Sequence, residues 1–350
     1  MIYGGRSGEH EVSVASAASI FRNLDPSRYE AIPIRIDQSG RWTLGGRVPQ
    51  ALSAADVIEE QRTEALQPVE PSAAVAASGL DVVFPVLHGP YGEDGTVQGL
   101  LELANIPYVG AGVLGSAVGM DKAVMKTLFV AAGLPVGPYL TVLAPEWARD
   151  PTAAMRRIEG TLGYPVFVKP ANLGSSVGIS KAGSEAELAE AMALALQFDR
   201  KIVVEAAVPD AREIECSVLG NDTPLASVPG EVIPSREFYD YEAKYLDGGS
   251  REVIPAPLSD AQAAEVQRLA IRAFQTVDCA GMARVDFLMP RESGELYLNE
   301  LNTIPGFTAN SMYPKMWEAS GLPFPALLDR LIGLALERHA DKQRLRTSLG

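Results

Sequence analysis

Two strand-like segments near the carboxyl end of the chain constrain its fold more than any other feature. They read "MARVDFLMP" and "ELYLNELN", and the residues "RESG" between them favour a turn. Because side chains alternate across a strand, Arg284 and Asp286 share one face, and we expect Leu298, Glu300 and Asn302 to share one face of the second strand. The pattern predicts an antiparallel hairpin with a cluster of polar side chains.

These clustered polar groups need partners, since burying a polar or charged group without one is costly. Two carboxylates and an amide oxygen are hard ligands, which suit Mg²⁺ better than Zn²⁺. A salt bridge from Arg284 to the acidic side chains at a sheet edge explains the same pattern equally well. The hairpin therefore predicts either a metal-binding face or an ion-pair network.

Strand-like and helix-like segments alternate through the rest of the chain, which predicts an α/β or α+β protein. A length of 350 residues suggests two or three domains. Residues 45–78 are rich in Ala, Ser, Pro and Gln, and we expect a peripheral insertion there. Residues at about 231–250 combine turn signals with little periodicity, so we expect a long mobile loop with a functional role.

Composition and charge exclude several classes of function. The net charge of −14 argues against a nucleic-acid-binding surface. Cys216 and Cys279 lie far apart in apolar stretches, which favours buried free thiols and a reducing, cytoplasmic compartment. The first residues lack the apolar segment of a signal peptide, and no apolar run has the length of a membrane span. We therefore expect neither a nucleic acid nor a membrane as partner.

The segment "VKPANLGSSVG" is a candidate phosphate-binding loop. Lys169 ends a strand, and the loop after it offers Gly174, Ser175 and Ser176. Small residues let backbone N–H groups approach a phosphate, and the hydroxyls add donors. A Gly/Ser loop between strands is also a common structural device, so the motif alone leaves both interpretations open. No GxxxxGK[ST] sequence occurs, which excludes a P-loop protein.

Three further charged residues stand at element ends. Lys122 opens a helix, where the helix dipole disfavours a cation unless an anion lies nearby, although a solvated lysine is the simpler explanation. Glu205 ends the apolar strand "KIVVE", and Glu213 opens the strand "REIECSV". Such acids cap or hydrate a strand edge, or they accept hydrogen bonds from a ribose hydroxyl or an adenine amino group.

The order of these pieces resembles the ATP-grasp ligases, and within that superfamily the chain resembles the D-alanine–D-alanine ligase family. Six motifs carry the resemblance over nearly the whole chain: "GGRSGEHEVS", "HGPYGEDGT", "MDK", "VKPANLGSSVG", "FYDYEAKY" and "ARVDF" followed by "NELNTIPGFTANSMYP". Each is weak alone, and their common order is specific. The resemblance implies three domains at 1–117, 118–208 and 209–350, the first with a parallel sheet.

The same resemblance implies how ATP and metal ions are bound. ATP lies between the central and C-terminal domains, with two Mg²⁺ (or Mn²⁺) ions at its phosphates. The phosphate-binding residues it implies are Lys122, Lys169, Ser175, Ser176 and Lys244. Glu205 and Glu213 hold the adenosine part, and Asp286, Glu300 and Asn302 bind the metal ions.

The family's reaction joins two D-alanines to D-alanyl-D-alanine, with ADP and phosphate as the other products. By motif, Arg284 and the N–H group of Gly306 stabilise the oxyanion, and Glu11 holds the ammonium group of the first D-alanine. His88 matches a contact of that substrate, although alone a loop histidine is more often structural. The remaining matches are Ser311 and Met312 at the second D-alanine, and Ser175 and Tyr245 as partners of Glu11 in a latch that closes the loop.

The "YDYEAKY" pattern favours the dipeptide product, since relatives that make D-alanine–D-lactate lack it. One rival is an ATP-grasp ligase with other substrates, and another is a regulatory nucleotide-binding protein on a decayed version of the fold. A dehydrogenase is disfavoured because "GGRSGE" lacks the GxGxxG spacing. The resemblance further implies a homodimer and a role in peptidoglycan synthesis in the cytoplasm.

Overall fold

The computed structural model describes residues 1–45, 48–50, 68–76, 79–174, 176–234, 250–308 and 310–346. The strands are β1 Ile2–Gly4, β2 Ile34–Ile36, β3 Trp42–Leu44, β4 Pro68–Val69, β5 Pro85–Val86, β6 Tyr139–Leu143, β7 Val166–Pro170, β8 Ser180–Ala182, β9 Lys201–Ala206, β10 Ala211–Gly220, β11 Leu225–Ala226, β12 Gly230–Ile233, β13 Arg251–Val253, β14 Gly281–Pro290 and β15 Tyr297–Asn302. The helices are α1 His10–Asn23, α2 Pro71–Ala76, α3 Thr96–Leu103, α4 Val113–Met120, α5 Lys122–Ala131, α6 Ala144–Arg149, α7 Pro151–Leu162, α8 Glu185–Ala195, α9 Asp260–Thr276, α10 Met312–Ala319 and α11 Phe324–Gln343. This mixture confirms the predicted α/β (α+β) class.

The first sheet has the order β4-β3-β2-β1-β5. Its centre is parallel, because β1 pairs in parallel with both β2 and β5. The predicted parallel N-terminal sheet is thus present, and its edge strands β3 and β4 are antiparallel. The turn after β1 requires glycine, since Gly4 has φ +92° and a methyl group there would lie 2.1 Å from the carbonyl oxygen of Ile36. This turn brings the start of α1 beside the end of β1.

The second sheet has the order β6-β9-β7-β8 and is antiparallel throughout. The helix α8 covers one of its faces, and its N-cap Ser184 accepts a hydrogen bond from the N–H group of Glu187. Strands β7 and β8 flank the Gly/Ser loop, as the sequence predicts. The sheet therefore fixes both ends of the candidate phosphate-binding loop.

The third sheet has the order β13-β12-β10-β14-β15, with β11 paired to β10. The predicted hairpin is β14–β15, which pairs Arg284 with Asn302 and Asp286 with Glu300. A bulge follows, because Phe287 pairs with Leu298 and Asn299 is the extra residue. The expectation that Leu298 shares the polar face is therefore wrong. The bulge turns its side chain into the apolar core, where it is 1% exposed.

The loop prediction at about 231–250 is also partly wrong. Its first residues belong to β12, which pairs with β13 through Glu231–Val253 and Ile233–Arg251. The intervening residues 235–249 lie outside the described part of the chain. Most of the predicted insertion at 45–78 also lies outside it, and its described end forms β4 and α2.

One apolar core joins the two ends of the chain. It combines side chains of β1 and α1 with those of α10 and α11, including Ile20, Phe307 and Leu331. A second core lies under the third sheet, and a third lies under the second sheet. The domain boundaries 1–117, 118–208 and 209–350 remain a prediction. Among the described helices, none is by itself long and apolar enough to cross a membrane, and only α10 with α11 passes that test, as a pair bent by 105°.

Candidate active site

A cavity of about 670 Å³ lies between the second and third sheets. Strands β7 and β9 form one wall, and β10, β12, β14 and β15 form the other. The sequence-predicted site residues that line it are Lys169, Ser176, Glu205, Glu213, Arg284, Asp286, Glu300, Gly306, Ser311 and Met312. Residues from distant motifs therefore meet at one opening.

The polar face of the β14–β15 hairpin lines this cavity. Arg284 donates to both carboxylate oxygens of Asp286 at 2.7 Å, and its Nε lies 3.1 Å from Glu215 Oε2. The amide of Asn302 donates to Asp286 Oδ2 at 2.9 Å. The predicted ion pair is thus present. Since Asn302 donates through its nitrogen, its amide oxygen is turned away from Asp286 and is available as a ligand.

The oxygen atoms of this face suit a hard cation. Asp286 and Glu300 pair across the hairpin and supply two carboxylates, and Asn302 supplies an amide oxygen. Among the described residues, no group of three or more His, Cys, Asp or Glu side chains forms a metal cage. Mg²⁺ is usually bound by one or two carboxylates together with substrate phosphates, so this donor set fits Mg²⁺ when phosphate completes the site.

Lys122 lies beside this face although it does not line the cavity. Asp121 caps α5, because its Oδ1 accepts from the N–H groups of Ala123 and Val124 at 3.1 Å. The other oxygen of Asp121 is bound by Lys201. The Lys122 ammonium is then held 2.8 Å from the carbonyl oxygen of Leu173 and 3.4 Å from Glu300 Oε2. This cation at the helix start is therefore buried beside a carboxylate, and the simpler explanation of a solvated lysine is wrong.

Lys169 and Glu205 form a buried ion pair on the opposite wall. The ammonium of Lys169 donates to Glu205 Oε2 at 2.9 Å. Burial alone would lower the pKa of Lys169, but the charges of Glu205 and Glu300 outweigh it and raise the pKa. Burial opposes ionisation of Glu205 as well, and the charges of Lys126 and Lys169 nevertheless lower its pKa to about 2. Both side chains are therefore charged at neutral pH.

Two residues at this pair were not found from the sequence. Lys126 lies one helical turn after Lys122, and its ammonium is 3.1 Å from Glu205 Oε1 and 2.9 Å from the carbonyl oxygen of Asn299. Asn299 is the bulge residue, and its side-chain oxygen lies 3.4 Å from Lys169 Nζ. The i, i+4 spacing of Lys122 and Lys126 on one helix was the available signal. The bulge left no signal that sequence periodicity could detect.

Glu11 is not brought to the site. Its Oε1 accepts a hydrogen bond from Gln38 at the surface, 2.9 Å away, and it does not line the cavity. Glu9, two residues earlier, is 8% exposed and does not line the cavity either. A methyl group placed on Gly174 or Gly89 would lie 2.6 Å or 3.0 Å from Glu9 Oε2. The carboxylate of Glu9 is therefore packed between the "HGPYGEDGT" loop and the phosphate-binding loop.

His88 lies next to Glu9 and is fixed by backbone contacts. Its Nδ1 is 3.0 Å from the carbonyl oxygen of Ile304, so it carries the proton there, and Ser7 donates to the His88 carbonyl at 2.6 Å. Burial lowers the pKa of His88, which keeps the ring neutral. The buried Nε2 atom has no partner among the described residues. Within the described part of the chain it is therefore a free hydrogen-bond acceptor beside Glu9.

Glu93 ties the His88 loop to the segment after β15. Its two oxygens accept from the N–H groups of Gly89 and Ile304 at 2.8 Å and 3.0 Å. Burial, together with the charge of Glu9, raises the pKa of Glu93 to about 8. The sequence assigned it no chemistry, and the structure gives it a bracing role.

The segment after β15 carries the remaining predicted residues. The hydroxyl of Ser311 accepts from the N–H group of Thr308 at 2.9 Å, and Met312 begins α10. A methyl group on Gly306 would lie 2.7 Å from Ser311 Oγ, so a larger residue there would displace the Ser311 hydroxyl from its contact with Thr308. Three predicted residues, Ser175, Lys244 and Tyr245, lie outside the described part of the chain.

Comparison with family models matches both ends of the chain. The model described as "D-ala D-ala ligase N-terminus" matches residues 1–111, and "D-ala D-ala ligase C-terminus" matches residues 128–333. Among curated relatives, the D-alanine--D-alanine ligase of Heliobacterium modesticaldum is 52% identical, with 98% of this chain and 96% of the relative covered. The enzyme of the same name from Solibacter usitatus is 54% identical, with the same coverage of each chain.

Solved structures show the same similarity. The D-alanine-D-alanine ligase from Coxiella burnetii superposes with a TM-score of 0.82 at 40% identity, covering 98% of this chain and 96% of that one. The VanG D-Ala:D-Ser ligase from Enterococcus faecalis has the same TM-score at 39% identity, covering 95% and 98%. The predicted α/β ATP-grasp fold is thereby confirmed.

Proposed function

The chain belongs to the D-alanine–D-alanine ligase family, and from that premise we propose that it joins two D-alanines to D-alanyl-D-alanine at the cost of one ATP. The observation that carries the proposal is the cavity itself. Lys169 lines one wall of it, and the oxygen-rich face of the β14–β15 hairpin forms the other. The buried Lys122 and Lys126 lie next to this lining. Cations for phosphates thus face ligands for a divalent metal ion.

ATP binds in this cavity with its phosphates between Lys122 and Lys169. Backbone N–H groups and the hydroxyls of Ser175 and Ser176 complete the phosphate site, and Lys244 adds a charge from the loop. Glu213 and Glu205 accept hydrogen bonds from the adenosine part. The support for these assignments is the common position of Lys169, Ser176, Glu205 and Glu213 on the cavity wall.

Asp286, Glu300 and Asn302 hold two Mg²⁺ (or Mn²⁺) ions in this scheme. When bound, these ions neutralise the charge that develops on the transferred phosphoryl group. Arg284 orients Asp286 through two parallel hydrogen bonds and keeps a guanidinium charge at the reacting centre.

The reaction has two steps. The carboxylate of the first D-alanine attacks the γ-phosphorus of ATP, the bond to the bridging oxygen breaks, and ADP leaves with formation of an acyl phosphate. The amine of the second D-alanine then attacks the acyl carbon, and phosphate leaves from the tetrahedral intermediate. Arg284 and the N–H group of Gly306 stabilise the oxyanion of that intermediate.

Glu9, in place of Glu11, holds the ammonium group of the first D-alanine. Its carboxylate is buried beside His88, whose Nε2 accepts a hydrogen bond from the same end of the substrate. Ser311 and Met312 bind the carboxylate end of the second D-alanine. The family resemblance gives Ser175 and Tyr245 as the partners of this glutamate in the closing latch, and the position of Gly174 against Glu9 supports it. Closure excludes water, which would hydrolyse the acyl phosphate.

The cellular assignments follow from the same premise. The product is a precursor of peptidoglycan made in the cytoplasm, and the partners are the small molecules ATP and D-alanine. The protein acts as a homodimer without nucleic acid or membrane. The apolar side chains Leu103 and Leu114 on α3 and α4 are 90% and 58% exposed and favour such an interface.

The proposal is tested by ADP formation with Mg²⁺ and ATP, measured with and without D-alanine. We expect strict dependence on D-alanine, and loss of turnover in Glu300→Gln, which removes one anionic ligand while keeping the side-chain shape. Unchanged turnover in Glu300→Gln would contradict the assignment of the hairpin face.

A further inference from the structure

We propose that Lys126 is a positioning residue that fixes Lys169 and Glu205 for nucleotide binding without contacting the nucleotide. This inference rests on the proposed function and adds a residue to it. Lys126 is 3% exposed and does not line the cavity, whereas Lys169, Glu205 and Asn299 do. It thus acts from behind the wall that faces ATP.

Lys126 and Lys169 bind the same two residues from opposite sides. Lys126 lies 3.1 Å from Glu205 Oε1 and donates to the Asn299 carbonyl at 2.9 Å. Lys169 donates to Glu205 Oε2 at 2.9 Å and lies 3.4 Å from Asn299 Oδ1. The four residues form a closed box of two cations, one carboxylate and one amide.

The box connects three parts of the fold. Lys126 belongs to α5, Lys169 and Glu205 belong to the second sheet, and Asn299 is the bulge residue of the third sheet. The two walls of the cavity are thereby held at a fixed separation beside Glu300, the residue that follows Asn299. Movement of any one of the four residues would displace side chains on both walls.

The charge of Lys126 also leaves Lys169 free for phosphate. Glu205 carries one negative charge, which either of the two ammonium groups can balance. Lys126 can therefore balance Glu205 and leave the positive charge of Lys169 available for phosphate. Without Lys126, Glu205 would have Lys169 as its counter-charge, and that ammonium would be drawn away from the phosphates. The loss should therefore weaken ATP binding more than adenosine binding.

The contacts of Lys126 differ from those of a lysine that only fills the core. Tyr139 is its aromatic neighbour, with the Lys126 ammonium 6.0 Å from the ring centroid. Its two polar contacts both go to residues that line the cavity. A purely structural lysine would affect folding stability but not the ratio of the two ligand affinities.

The test compares Lys126→Met with wild type by titrating ATP and adenosine calorimetrically and by measuring KM for ATP and kcat. We expect the affinity for ATP to fall about tenfold and KM for ATP to rise about tenfold, since losing a hydrogen bond to a charged group weakens binding by about that factor. The affinity for adenosine and kcat should change less. Lys342→Met is the matched control, because this lysine also pairs with a carboxylate, Glu102, but lies on the far surface. It should leave every parameter unchanged.

The outcomes separate the two proposals. If wild type binds no ATP, the proposed function fails. If wild type binds ATP and Lys126→Met binds it equally well, or loses ATP and adenosine affinity in equal measure, only the positioning role is overturned. Lys126→Gln, which keeps a donor toward Asn299, replaces Lys126→Met if the latter does not fold. Failure of both variants to fold would assign Lys126 to folding and overturn the inference.

Discussion

At the residue scale, Glu9 and Glu11 show how burial separates two neighbouring acids. Glu9 precedes the first turn of α1 and faces the loops of the site, whereas Glu11 lies in that turn and contacts Gln38. A buried carboxylate packed against backbone is an efficient partner for an ammonium group, because little water competes. Glu11 is solvated and gains little from such a pairing.

We therefore predict opposite results for two matched substitutions. Glu9→Gln should reduce kcat/KM for D-alanine by 30-fold or more, since breaking a buried charge pair costs about 2–5 kcal/mol. Glu11→Gln should change it by less than about threefold, as expected of a surface substitution. Steady-state kinetics with D-alanine varied at saturating ATP measure both. The reverse order would restore Glu11 as the binding residue.

The residue assignments show what the sequence supplied and what it did not. Motif order placed Lys169, Glu205, Arg284 and Asp286 correctly at one cavity, because each stands at the end or on one face of a regular strand. The choice between two glutamates two residues apart depends on the helix start, which the sequence does not fix within that margin. Lys126 was missed because its only signal was the i, i+4 spacing from Lys122, which does not show which residues the ammonium contacts.

At the element scale, the cap of α5 controls the position of Lys122. Asp121 holds the first turn and is itself held by Lys201 from β9. The backbone N–H group of Lys122 also donates to the carbonyl oxygen of Ala171 at 3.0 Å. The helix start is therefore fixed to the second sheet, next to the phosphate-binding loop.

We predict that Asp121→Ala lowers both stability and ATP binding. The lost cap should cost about 1 kcal/mol of unfolding free energy, and the freed helix start should raise KM for ATP severalfold. Ser184→Ala removes the equivalent cap of α8, which is remote from the cavity. It should cost similar stability and leave KM unchanged. Equal KM values for the two variants would refute a role of the cap in positioning Lys122.

The β14–β15 bulge is the element that sequence periodicity could not reveal. A strict alternation placed Leu298 with Glu300, whereas the extra residue Asn299 returns Leu298 to the core and still leaves Glu300 opposite Asp286. Bulges reorient side chains near active sites, and their position depends on the pairing of two strands. A single strand's pattern therefore predicted the hairpin but not its irregularity.

At the scale of the whole molecule, the buried Glu205 cluster links stability to pH. The pKa of Glu205 is lowered from 4.5 to about 2 in the folded protein. As the pH falls, the Glu205 carboxylate takes up a proton at a higher pH in the unfolded chain than in the folded one. The cluster therefore stabilises the fold above pH about 4.5, and that contribution is lost as the pH falls toward 2.

We predict that Glu205→Gln flattens this part of the pH dependence. Urea unfolding at pH 5 and at pH 3 should show a smaller loss of stability for the variant than for wild type. At pH 5 the variant should be less stable, since two buried lysines lose their shared carboxylate. An identical pH dependence of the two proteins would show that folding does not lower the pKa of Glu205.

The proposed dimer provides a second prediction at this scale. Leu103 is 90% exposed in a single copy of the protein, and Leu103→Asp would put a charged side chain at this position of the proposed interface. Sedimentation should show a shift from dimer to monomer with little change in unfolding free energy. A wild-type protein that sediments as a monomer would contradict the homodimer.

The central claim is that the cavity between the second and third sheets joins D-alanine to D-alanine. The most direct measurement is phosphate release with Mg²⁺ and ATP in the presence of D-alanine, L-alanine, or D-alanine together with D-lactate or D-serine, with the products separated by mass. We expect release that depends on D-alanine, with D-alanyl-D-alanine as the main product in every mixture that contains D-alanine. ATP binding without D-alanine-dependent phosphate release, or a mixed product in preference to the dipeptide, would contradict it.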